Sequence, residues 1–168
     1  MKIYKAVLFI FCSLALYHCA SVKLNPVSIS INEPIGKYKY IYITPTSKLA
    51  SAIGGIYGNQ YGVYGTTQNK TIIPSDIIAG KLLKEGYTRL PQITPELLDE
   101  TLIINYGESG RRETGLGGYT IEVTIQFLSA TNNAIICTCT GEGQGATEAD
   151  DIRIAINRCL DEFLKNKY

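Results

Sequence analysis

The sequence predicts an α/β domain, a two-layer sandwich in which two helices cover one face of a mixed sheet of four to five strands. Three observations carry that expectation. The stretch "YTIEVTIQFLS", residues 119 to 129, alternates apolar and polar residues with period two, the mark of a half-buried strand. The stretch "TEADDIRIAINRCLDEFLKNK", residues 147 to 167, instead repeats its apolar residues at helical spacing. Upstream, strand and helix signals alternate without an internal repeat, which is the element order of a layered α/β domain.

The chain opens on Lys2 and Lys5, followed by an apolar run from Ala6 to Tyr17. About a dozen residues fall short of the roughly 20 that a membrane-spanning helix needs. A positive start with such an apolar core is the pattern of an export signal. A buried first helix is disfavoured, because no polar face recurs at helical spacing.

Leu16-Tyr17-His18-Cys19 comes next. It resembles the box that ends a bacterial lipoprotein signal: an aliphatic residue, two mostly small residues and a cysteine. His18 departs from the Gly, Ala or Ser that the family places before the cysteine. The resemblance implies that residues 1–18 are a signal peptide. It also implies that Cys19 becomes a diacylated N-terminus, of the palmitate-bearing kind. Ala20, where an Asp would mean retention in the inner membrane, implies the outer membrane and a periplasm-facing domain. Each buried methylene adds about 0.8 kcal/mol and stable anchoring takes more than one chain, which such a cysteine carries.

Residues 19–36, with Pro26, Pro34 and Gly36, read as a tether behind the lipid; the short alternation from Val27 to Ile31 reads equally well as an added edge strand. Residues 37–168 suit one domain. "KYKYIYITP" is its first strand, rich in β-branched and aromatic residues and ended by Pro45. A Gly/Tyr-rich segment at 50–70 is expected as a loop or irregular hairpin. Its Tyr57, Tyr61 and Tyr64, each followed by Gly, offer a contact surface. Gly54, Gly58 and Gly62 also give a glycine-spaced segment, 50–65, of the kind that packs closely in membranes or oligomers.

In "PSDIIAGKLLKEGY" Ser75 is the expected helix cap, Ile77, Ile78 and Leu82 the buried face, and Gly86 the residue that ends it. "TPELLDE" reads as a short helical turn after Thr94 and "TLIINY" as a buried strand. "GESGRRETGLGG" reads as a connection into the strand at 119–129. "AIICTCT" then forms a hairpin with it, with Ile135, Cys137 and Cys139 pointing to one side. Thr147 caps the last helix, whose stripe is Ile152, Ala155, Ile156, Cys159, Leu160 and Phe163.

Composition excludes several activities. Lys and Arg nearly balance 15 Asp and Glu, so no basic stripe is available for nucleic acid. The single Met and single His, Met1 and His18, both lie in the leader, and there is no Trp. Cys137, Cys139 and Cys159 match no zinc spacing, and without histidine they complete no four-ligand site, so no metal and no cofactor are expected. In an oxidising compartment, Cys137 or Cys139 can pair with Cys159 in a disulfide, or all three can sit as small buried residues.

The motifs are weak. "GEGQGA", residues 141–146, fits a loose dinucleotide fingerprint, but no strand with an acidic end follows the last helix. It reads better as a glycine-rich turn. "GESGR" at Ser109 lacks both the second glycine and a histidine. Glu108, Glu113 and Glu142 lie near glycine-rich bends and would be the acids of a carboxylate-dependent hydrolase. Arg111 and Arg112 can clamp an anionic group. The whole pattern resembles the small cell-envelope lipoproteins of Gram-negative bacteria. That resemblance implies a non-catalytic lipoprotein, not an enzyme, which meets the membrane through its lipid and binds an envelope protein or glycan. The alternatives are an oligomeric membrane-associated assembly built on segment 50–65, and the hydrolase. The sequence leaves the oligomeric state open.

Overall fold

A computed structural model of the chain describes residues 22–59, 62–115 and 118–166. The expected signal peptide, Cys19 and Tyr61 lie outside the described residues. The fold is α/β, as the alternation of signals predicts. The elements run β1 (Ser28–Ile31), β2 (Tyr40–Ile43), β3 (Leu49–Asn59), β4 (Gly62–Ile72), α1 (Pro74–Lys84), β5 (Thr88–Arg89), a 3-10 helix (Pro95–Glu100), β6 (Thr101–Gly115), β7 (Gly118–Ser129), β8 (Ile135–Gly143) and α2 (Glu148–Lys165).

The main sheet has six strands in the order β1-β8-β7-β6-β2-β5, not four to five. β2 runs parallel to both β5 and β6, and the remaining pairs are antiparallel, so the sheet is mixed. The strands that raise the number above that expectation are short ones at the two edges. One is β1, which answers the ambiguity over Val27–Ile31: Ser28 to Ile31 pair with Thr140 to Cys137. The other is β5, two residues long beside Tyr40 and Ile41.

Both α-helices pack on one face, against each other and the sheet. The core between them holds Ile41 and Ile43, Leu102 and Ile104, Ile121 to Phe127 on alternate positions, and the α2 stripe, all buried. Glu122, Thr124 and Gln126 are half-buried on the other face, as period two requires. Phe127 of the sheet stacks on Phe163 of α2, ring centroids 3.9 Å apart and planes 1° from parallel. Thr147 caps α2 as expected, its Oγ1 accepting from the Asp150 N–H at 3.1 Å. Among the described residues no helix is long and apolar enough to cross a membrane.

Four local expectations are corrected. First, "GESGRRETG" is not a connection but the second half of β6, which pairs with β7 as far as Gly115. Its glycines and charges fit because the ladder shifts register between Glu108 and Gly110 and again between Glu113 and Gly115, and Gly115 takes φ +81° to turn the chain. Second, segment 50–70, expected as a loop or irregular hairpin, is a regular hairpin in its described residues: β3 and β4 form an antiparallel ribbon with unbroken register from Leu49↔Ile72 to Asn59↔Gly62. Third, a register shift between Phe127 and Leu128 turns Ile135 outward, 42% exposed, and buries Ile136. Fourth, α1 starts two residues earlier than expected, with Ile73 at the cap position and Pro74 first in the helix. Ser75 is instead buried in the first turn, its N–H donating to Thr46 Oγ1 at 3.0 Å.

Candidate binding groove

Arg111 and Arg112 follow one another on β6, so their side chains leave opposite faces of the sheet. On the helix face, Arg111 pairs with Glu148 in the first turn of α2, Nη2 to Oε1 2.7 Å, and its guanidinium lies 5.1 Å from the centre of the Tyr119 ring. Arg111, Glu113, Gly115, Gly118 and Tyr119 line an open groove of about 410 Å³. A smaller hollow of about 160 Å³ continues past Tyr119 to Gln144, Glu148 and Asp151. On the same face Tyr106 donates to Glu108 at 3.4 Å. Burial, and then the Glu108 carboxylate, push this phenol above its usual range.

The hollow rests on the "GEGQGA" turn. Gly145 N–H donates to Asp151 Oδ1, which holds the turn onto α2. Burial raises the Asp151 carboxyl above its ordinary value, and the Gly145 bond opposes that rise. Gly143 has a steric reason: a Cβ there would lie 1.9 Å from the Asp151 carbonyl oxygen. The glycines that mimic a nucleotide fingerprint therefore let helix backbone approach strand backbone.

On the opposite face, Arg112 grips Glu142 of β8 with two parallel bonds, Nε to Oε1 2.8 Å and Nη2 to Oε2 2.7 Å. Glu142 is buried and also accepts from the Asn25 N–H (2.9 Å) and the Asn25 Nδ2 (2.8 Å). Arg112 leads the causes that lower the Glu142 carboxyl to about 2. Arg112 is therefore engaged within the protein, its Nε and Nη2 both committed to Glu142. Nor can Glu142 join Glu108 and Glu113, since they leave the sheet on the other face. Ser109 Oγ donates to Glu122 Oε1 (2.8 Å) and accepts from Thr124 Oγ1 (3.1 Å), part of a polar ladder on the open face.

Of the tyrosines singled out in sequence, Tyr57 and Tyr64 are Cα partners across the β3–β4 ribbon. Cys137, Cys139 and Cys159 are free, buried thiols. Cys139 Sγ donates to the Cys159 carbonyl oxygen at 3.4 Å, so Cys139 is the strand cysteine beside Cys159. Among the described residues no group of three His, Cys, Asp or Glu is placed to hold a metal ion.

Sequence reasoning missed Tyr119, Glu148 and Asn25. Tyr119 was within reach, since it begins the alternating strand on the same side as Ile121. Asn25 carried no signal, being 117 positions from the carboxylate it holds.

The fold and groove define a two-layer α/β sandwich with a shallow aromatic-and-charged surface at one end of its sheet. No family model matches the chain, and no curated protein matches its sequence. Among solved structures it is similar to a point variant of the PelC dodecamer from Paraburkholderia phytofirmans, at 16% identity and TM-score 0.47, covering 80% of this chain and 92% of that one. It is likewise similar to a second PelC dodecamer structure from the same organism, at 15% identity and TM-score 0.45, covering 80% and 94%. Likeness at this level transfers no function to this chain.

Proposed function

We propose that the chain is a non-catalytic lipoprotein of the outer membrane, anchored through Cys19 and facing the periplasm, whose Tyr119 groove binds an envelope glycan or protein. The observation that carries this reading is the Arg111–Tyr119 arrangement. An aromatic face beside a guanidinium and the Glu113 and Glu148 carboxylates offers apolar contact together with donors and acceptors. Such a surface suits a sugar or a polar peptide. The residues around it supply no activated nucleophile: no histidine lies beyond the leader, and the Ser109 hydroxyl bonds only to the ladder on the other face. Calorimetric titration with defined envelope glycans tests the reading. Tyr119→Ala should weaken any measured binding at least tenfold. Unchanged binding by that variant would remove the groove from the site, and an unmodified Cys19 in mass spectra of the membrane fraction would remove the anchor.

A second reading, self-association into a membrane-associated assembly, is supported by the β3–β4 ribbon. Its strands of 11 residues each pair with no other strand among the described residues. A lone two-stranded ribbon is marginal in water, and its open edges are templates for pairing with a second chain. The glycine spacing then acts through strands, not through a helix. A monomer in mild detergent would sink this reading.

A further inference from the structure

The chain just after Cys19 is held at several points. Asn25 gives both its backbone N–H and its side-chain amide to Glu142. Arg158 of α2 reaches the same place, donating to the Asn25 carbonyl oxygen at 2.7 Å and to the Glu142 carbonyl oxygen at 2.6 Å. Arg112 Nη2 adds a bond to the Lys23 carbonyl oxygen at 3.3 Å. A buried carboxylate with an arginine on one side and a backbone amide on the other is costly to leave half-made. These bonds therefore form and break together, and they continue the edge pairing that β1 makes with β8.

We propose that the Arg112–Glu142 pair, with Arg158, is a strap that fixes the chain at Lys23–Asn25, so that a lipid on Cys19 holds this end of the sheet against the bilayer surface. The proposal rests on the anchored reading above and adds to it the face that meets the lipid. Four residue steps separate Cys19 from Lys23, an extended reach of at most about 14 Å. With the strap open, the first fixed point is Ser28 in β1, nine steps away, and the reach grows to about 30 Å. A free tether through residues 19–36 would let the domain roam; the strapped chain does not. Lys23 is exposed at the exit point, a cation suited to a lipid headgroup region. The Tyr119 groove opens from the other face of the same sheet end and stays near the bilayer.

The test uses the full chain, lipidated, in a supported bilayer and in vesicles. Amide hydrogen exchange at Asn25 reads the strap, and neutron reflectometry reads the gap between domain and bilayer. The wild type should protect the Asn25 amide and keep the gap within the short reach. Glu142→Gln should speed that exchange at least tenfold and widen the gap distribution. Asn25→Ala, which removes the side-chain amide bond and leaves the Arg112–Glu142 pair in place, serves if Glu142→Gln does not fold and should speed the exchange and widen the gap to a smaller extent. Free exchange at Asn25 in the wild type overturns the strap, whatever the lipid state. An unmodified Cys19 together with a protected Asn25 amide overturns the anchor, and with it the membrane placement. A gap equally wide in wild type and both variants overturns the proposal with the anchor intact.

Discussion

Arg111 and Arg112 are neighbours in the chain and have opposite tasks. Arg111 is mostly exposed and meets Glu148 and Tyr119 on the helix face, whereas Arg112 closes on buried Glu142 on the other. An exposed ion pair is worth about 0–1 kcal/mol. Removing one partner of a buried, hydrogen-bonded pair costs about 3–5 kcal/mol, less where, as here, the arginine is partly exposed. Arg111→Ala should therefore change unfolding free energy by under about 1 kcal/mol, and Arg112→Ala should lower it clearly more, because it strands the buried Glu142 carboxylate. Urea denaturation of both variants measures this, and equal effects would contradict the division of labour.

The same pair sets an acid limit. Glu142 has its carboxyl lowered from 4.5 to about 2 in the folded chain, chiefly by Arg112. The unfolded chain binds this proton first, so the stabilisation is fully present above about pH 4.5 and is lost as pH falls toward 2. Its size is about 3 kcal/mol. Thermal melts between pH 5 and pH 2 should show a steep fall in the wild type and a shallower one in Glu142→Gln. Parallel profiles would place the acid sensitivity elsewhere.

Glycines show what could and could not be read from the sequence. The apolar periods of β7 and α2 were legible because a half-buried strand and an amphipathic helix each repeat one face. The second half of β6 was not. Gly107, Gly110 and the charged residues around them are turn-like in composition, and the pairing with β7 that overrides them is a tertiary fact. Gly141, Gly143 and Gly145 are turn-like in sequence, while the reason for Gly143, helix backbone lying against strand backbone, depends on Asp151 and Ala155 being folded over it, and that for Gly145 on the Asp150 side chain beside it. The Arg112–Glu142–Asn25 set joins residues far apart in the chain, and the adjacent pair Arg111-Arg112 looked like one site because alternation across a strand was not expected there.

Gly143→Ala tests that close approach. The new methyl would meet the Asp151 carbonyl oxygen at 1.9 Å and the Ala155 nitrogen at 2.7 Å. α2 must shift away from β8 to admit it, disturbing the Phe127–Phe163 stack, at a cost of about 3 kcal/mol or more. Gly107→Ala is the control, since a Cβ there meets nothing within 4 Å. A melting temperature for Gly143→Ala equal to that of the control would show that the helix does not rest on this glycine.

The three core cysteines should be inert in the native protein. Burial, then the neighbouring Cys139, pushes the Cys137 thiol up to about 12. Cys139 is raised further, first by hydrogen bonding with Cys159 and next by burial. The thiolate is the reactive form, and Cys159 is fully buried, so alkylation at pH 8 should leave Cys137 and Cys139 unreacted and Cys159 out of reach until the chain unfolds. Peptide mapping should then find the label on Cys137, Cys139 and Cys159 without added reductant. Loss of label from Cys139 and Cys159 together would show that the two close into a disulfide in the envelope.

Excision of the β3–β4 ribbon separates the sheet's stability from the chain's associations. Its base reaches the core: Ile72 is buried there, and Leu49 packs partly against it. Among the described residues, 52–59 pair with 62–69 along the ribbon and with no other strand. Replacing them with a short Asn-Gly turn keeps the Leu49↔Ile72 base and closes the shorter hairpin with a favoured two-residue turn. The six-stranded sheet should then melt within a few degrees of the wild type. Sedimentation in mild detergent should find the shortened chain monomeric at concentrations where the full chain associates. If the shortened chain still associates, its contacts lie elsewhere, and the open edge of β1 would be the next place to examine.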